Sequence, residues 1–103
     1  MKVTRQLRLE TERREIAAGT TIALRVRDRQ GRPIEDAVVK TQTKSTRTDA
    51  RGVCELRFDS PGFWKLVAAK SPTDRVAYRP ASTLVRVVAT EASLHPRQQI
   101  GAR

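Results

Sequence analysis

Three times in this chain an aspartate is followed three residues later by a glycine: Asp28–Gly31, Asp49–Gly52 and Asp59–Gly62. Asp in the first and Gly in the fourth position is the preference of a type I β-turn, and Pro61 reinforces the last of the three. The segments that these turns join alternate. Cys54, Leu56 and Phe58 are interleaved with Val53, Glu55 and Arg57, and Trp64, Leu66 and Ala68 with Phe63, Lys65 and Val67. A period of two over this length is the pattern of a half-buried antiparallel strand. Thr46 to Lys70 therefore reads as strand, turn, strand, turn, strand, and no long stretch elsewhere carries apolar residues at helical spacing.

The remaining strands follow from the same test. Val3, Leu7 and Leu9 share one parity. Ile16 returns a charged connection, Glu10 to Glu15, to the core, and Gly19 bends the chain into the strand of Ile22, Leu24 and Val26. Ile34, Ala37 and Val39 supply further inward positions, and Thr46 with Thr48 reads as a short edge strand. Ser71 to Pro80 reads as a long loop. Leu84 to Ala89 is the last strand, with apolar residues on both parities. The expected fold is all-β, a two-sheet antiparallel β-sandwich of about seven strands spanning residues 1–89, with residues 90–103 as a C-terminal tail. Trp64, the only tryptophan, is expected to be buried against Leu24 and Leu56.

Ala18-Gly19-Thr20 before a strand, Val26-Arg27-Asp28 leading into Gly31-Arg32-Pro33-Ile34, and Asp36-Ala37-Val38-Val39 form a pattern. Thr48-Asp49-Ala50-Arg51-Gly52 and Ser60-Pro61-Gly62-Phe63-Trp64 complete it. From Ile16 to Val88 the chain resembles bacterial and archaeal immunoglobulin-like modules of the invasin type. It is also similar to carboxypeptidase regulatory-like domains, which have a transthyretin-like sandwich. The resemblance implies a sandwich fold and a non-catalytic role as a spacer, adhesive stalk, accessory domain or virion decoration.

The residues offer little to catalysis. His95 is the sole histidine, Cys54 the sole cysteine, and no hydrolase elbow, phosphate-binding loop or paired-cysteine spacing occurs. The expectation is a protein that is not an enzyme and needs no cofactor. Cys54 falls on an inward parity and is expected to be a small core hydrophobe. The absence of Asn removes N-glycosylation and the Lys–Asn cross-link known in some sandwich modules. Asp28, Asp49 and Asp74 are expected at one end of the fold and are a conceivable calcium set, but Asp28 and Asp49 already serve their turns, so no metal is expected. The segment after Met1 has no apolar run, which gives a cytoplasmic expectation if Met1 is the native start.

Charge is the feature left to explain. Sixteen Arg and five Lys stand against eleven acids, a formal net charge of +10. Arg8, Arg25, Arg27 and Arg57 all fall on outward parities of strands expected to be neighbours, and they are the candidate site for an anionic partner. A protein partner or self-assembly is the first expectation. The alternative is a basic nucleic-acid-binding accessory protein, gripping phosphates without reading sequence. The competing structural account is a solvated face with cross-strand Arg–Glu pairs.

Overall fold

The turns at Asp28 and Asp49 close in the same way. Gly31 N–H donates to Asp28 O at 3.0 Å and Gly52 N–H to Asp49 O at 2.9 Å. In each, the aspartate Oδ1 also accepts the main-chain N–H groups two and four residues on: Gln30 and Arg32 in the first, Arg51 and Val53 in the second. Asp59 behaves differently, because its carboxylate takes Arg57 Nε at 2.7 Å and Lys44 Nζ at 3.5 Å. Gly52 is required at its position twice over. Its φ is +76°, and a Cβ there would lie 2.6 Å from the Val26 carbonyl oxygen and 3.0 Å from Ile34 N.

A computed structural model of the chain describes residues 3–89, and the tail expected over 90–103 lies outside the described residues. The fold is all-β, in two sheets. One sheet has β6 (Val53–Phe58), β3 (Thr20–Asp28), β1 (Val3–Thr11) and β8 (Val76–Arg79) in that order. The other has β2 (Glu15–Ala17), β9 (Ala81–Val88), β7 (Gly62–Ala69), β4 (Val38–Lys40) and β5 (Ser45–Arg47).

Both sheets feed one core. Leu7, Ile22, Leu24, Val26, Cys54, Leu56 and Phe58 come from the first sheet, and Ile16, Val39, Leu66, Ala68, Val85 and Val87 from the second. Ile34 and Ala37 join them from the segment before β4. That segment is held by Thr48, a buried residue just past β5. Thr48 Oγ1 donates to Ile34 O at 2.6 Å and accepts Ala37 N–H at 2.9 Å.

The structure corrects four expectations. Nine strands are present among the described residues, against about seven. Pairing is not antiparallel throughout, because β1 runs parallel to β8 and β2 parallel to β9. The expected loop 71–80 contains β8, whose inward residues Val76 and Tyr78 lie opposite Val3 and Arg5. Trp64 is half-buried and stands edge-on to Phe58, with ring centroids 5.5 Å apart. Its indole N–H needs a partner and donates to Ser60 O at 2.8 Å, which keeps the ring at the margin, so Phe58 fills the core position expected of Trp64. The ambiguous register of β9 resolves as well: Val85 and Val87 point inward, and Leu84 is 56% exposed.

Candidate functional site

The outward residues of β1, β3 and β6 lie in rows across the sheet, and the register defines them. Arg8 faces Arg27, Glu10 faces Arg25 and Arg25 faces Val53; then Ala23 faces Glu55, and Thr21 faces Arg57. On the other flank of β1, Gln6 faces Arg79 of β8. Side chains two apart on a strand are about 6.7 Å apart and those facing across a ladder about 5 Å. Arg8, Arg25 and Arg27 therefore form one cluster. Arg57 does not belong to it: the Ala23–Glu55 row intervenes, and Asp59 holds the Arg57 guanidinium at 2.7 Å.

Two guanidinium groups that the sequence reading missed extend the cluster at its other end. Arg29, in the turn after β3, and Arg79 line a shallow hollow of about 230 Å³ together with Thr4 and Gln6. Arg79 was hidden because 71–80 reads as a loop between prolines. The alternation of Val76 and Tyr78 with Ala77 and Arg79 was the available signal. Arg29 carries none, since a turn residue has no strand parity to read.

The hollow is held in shape from both sides. The Gln6 amide donates to the carbonyls of Leu7, Arg79 and Pro80, which ties β1 to the end of β8. Beneath, Asp28 is 1% exposed and accepts Arg5 Nη1 and Arg32 Nε, each at 2.9 Å. Burial works to raise the Asp28 pKa, but the main-chain N–H, hydrogen-bonding side chain and charge of Arg32, with Arg5, outweigh it and hold the carboxyl below its ordinary value of 3.8. The aspartate is thus an anion that two arginines already share.

Neutralisation of the cluster is partial. Arg27 Nε lies 3.7 Å from Glu10 Oε1, a long contact between half-exposed groups. Arg8, Arg25, Arg29 and Arg79 form no ion pair among the described residues. Acids gather at the opposite end, where Glu10 and Glu12 border a hollow of about 290 Å³ with Ala23, Arg25 and Val53. Along the face, arginine predominates from the β8 end to the row where Arg25 meets Glu10; Glu12 and Glu55 follow, with Arg57 past Glu55 and Arg14 beside Glu10 and Arg8 in a further hollow.

Elsewhere the chemistry is sparse. Among the described residues no three His, Cys, Asp or Glu side chains stand together as a metal site, and Asp28 and Asp49 are occupied by their turns. Cys54 is buried, and that burial, with the charges of Asp49 and Glu55, pushes its thiol up to about 11. On the outer face of the second sheet Phe63 and Leu84 are exposed, but Arg86 faces Phe63 and Lys65 faces Leu84. No described helix is long and apolar enough to cross a membrane. No protein-family model matches the chain, and no curated protein matches it.

Proposed function

We propose that the chain is a non-catalytic immunoglobulin-like β-sandwich module that works by binding an acidic partner through the outer face of its β6-β3-β1-β8 sheet. The strand order supports the fold assignment. With β1, β3, β4, β6, β7 and β9 taken as strands A, B, C, E, F and G, the two sheets contain the neighbour orders E-B-A and G-F-C of an immunoglobulin sandwich. A transthyretin-like, carboxypeptidase regulatory-like sandwich is the alternative.

The observation that carries the binding role is the Arg8–Arg27 pair. Like charges directly opposite each other on a ladder destabilise a sheet, and a face serving only solubility is expected to set acids opposite arginines, as Glu10 is set opposite Arg25. The test is charge-matched. Arg25→Gln with Arg27→Gln is compared with Lys40→Gln and Lys65→Gln on the other sheet by the salt needed to elute each from immobilised heparin. The reading expects a clear drop for the first variant and little for the second. Equal drops would reduce the face to part of the overall charge.

A further inference from the structure

Five arginines run along one face from its β8 end to the row where Arg25 meets Glu10, and the residues around them narrow the partner. A protein partner is bound mainly through buried aromatic and aliphatic anchors, with charges at the rim. The apolar neighbours here are small: Ala77, the half-buried Val53 and the exposed Val3 at the start of β1, beside Thr4, Gln6 and Glu10, with no aromatic or long aliphatic anchor among them. A single nucleic-acid strand is held by stacking its bases on aromatic rings, and no aromatic residue occupies an outward position on β1, β3, β6 or β8. What remains is a regular polyanion whose charges lie on its outside.

We propose that this end of the sheet docks on the phosphate backbone of double-stranded DNA, with Arg8, Arg25, Arg27, Arg29 and Arg79 as the contacting groups. The inference rests on the binding role proposed above and adds its partner and two further residues. Guanidinium groups are suited to phosphate oxygens because their planar fork presents paired donors. Arg8, Arg27 and Arg25 run along the two central strands, while Arg29 and Arg79 flank the hollow about one pleat further on. The strip so formed tracks a backbone without entering a groove, so binding is independent of sequence. Duplex RNA is recognised in good part through its 2′-hydroxyls. The uncharged polar side chains at this end are Thr4, Gln6 and Gln30; the Gln6 amide is already committed to three main-chain carbonyls, and Gln30 Oε1 accepts Arg32 Nη2. Arg25 shares the last row of the strip with Glu10, and Glu12 lies beside it, so the duplex lies toward β8 and away from Arg57.

The experiment measures binding of the full chain to a random-sequence DNA duplex across a salt series, with duplex RNA and polyglutamate as parallel probes. Five phosphate contacts predict a slope of log Kobs against log salt near −4.5, shrinking to about −2.7 in Arg29→Gln with Arg79→Gln and staying unchanged in Arg57→Gln. Arg29, Arg57 and Arg79 are exposed, and circular dichroism is used to check that each variant folds. Equal slope losses from Arg57→Gln and from Arg29→Gln would overturn the assignment of the strip. Binding of polyglutamate or duplex RNA tighter than DNA, still dependent on Arg25 and Arg27, would overturn the DNA inference and leave the binding face standing. No dependence on Arg25 and Arg27 with any probe would overturn both.

Discussion

Arg8 and Arg27 face each other across the β1–β3 ladder, two guanidinium groups on one pleated surface with Glu10 only 3.7 Å from Arg27 to offset them. The pair is a local conflict in a sheet whose core alternation is otherwise consistent, and such conflicts are expected where stability yields to function. Relieving it should stabilise the free protein. Arg8→Gln is expected to raise stability by about 0.2–1 kcal/mol in urea unfolding at low salt. The gain should fade at high salt, where screening removes the repulsion. A gain that persists at high salt would assign it to something other than charge.

Gly52 is the position where the backbone is least forgiving. Gly52→Ala must place a side chain at φ +76° and 2.6 Å from the Val26 carbonyl oxygen, so β3 and the turn cannot both keep their places. The left-handed conformation alone costs about 1–2 kcal/mol, and the clash adds to it. Gly31→Ala, with φ +86° and open space around it, should show only the conformational cost. Comparison of the two unfolding midpoints measures the clash.

Thr48 joins the segment before β4 to the core through one hydroxyl. Thr48→Val keeps the shape but leaves Ala37 N–H and Ile34 O without their side-chain partner. The expected loss is about 1–3 kcal/mol, and Thr48→Ser, which retains the hydroxyl, should lose less. A larger loss in Thr48→Ser than in Thr48→Val would assign the role of Thr48 to its methyl group.

The inward sets on β3, β6 and β7 were legible because each alternates strictly and starts or ends at a turn glycine or aspartate, and the residues so chosen are buried apart from the half-buried Trp64; on β1 the chosen Leu7 is buried, Leu9 half-buried and Val3 58% exposed. What failed was long-range. Nothing local announces that β1 recruits Val76–Arg79 as a parallel neighbour, or that the three residues of β2 pair with β9. Parity likewise showed that Arg8, Arg25, Arg27 and Arg57 face outward, but only the register between strands separates Arg57 from the others. Thr48 was read as part of an edge strand, and its burial depends on a carbonyl fourteen residues away.

Acid should weaken the fold through Asp28. Its folded pKa is lowered below 3.8, so its contribution is fully present above that value and is lost as pH falls through the folded pKa. Asp49 and Asp59 are shifted in the same direction by their hydrogen bonds, to the Val53 and Arg51 amides and the Arg57 guanidinium respectively, with the Lys44 charge also acting on Asp59. Urea midpoints should hold steady from neutral pH to about pH 5 and decline below about pH 4. Asp28→Asn should be less stable than the parent at neutral pH, with the gap narrowing in acid. A gap independent of pH would mean that the Asp28 charge contributes nothing.

The claim on which the account turns is that the β8 end of one sheet face, and no other surface, meets the polyanion. Titration of the 15N-labelled protein with a short DNA duplex, followed through the arginine Nε–H resonances, tests it most directly. The account predicts that Arg8, Arg25, Arg27, Arg29 and Arg79 shift together with one apparent affinity, while Arg57 and Arg86 stay in place. Shifts led by Arg57 or Arg86, or spread evenly over all the arginines, would contradict it.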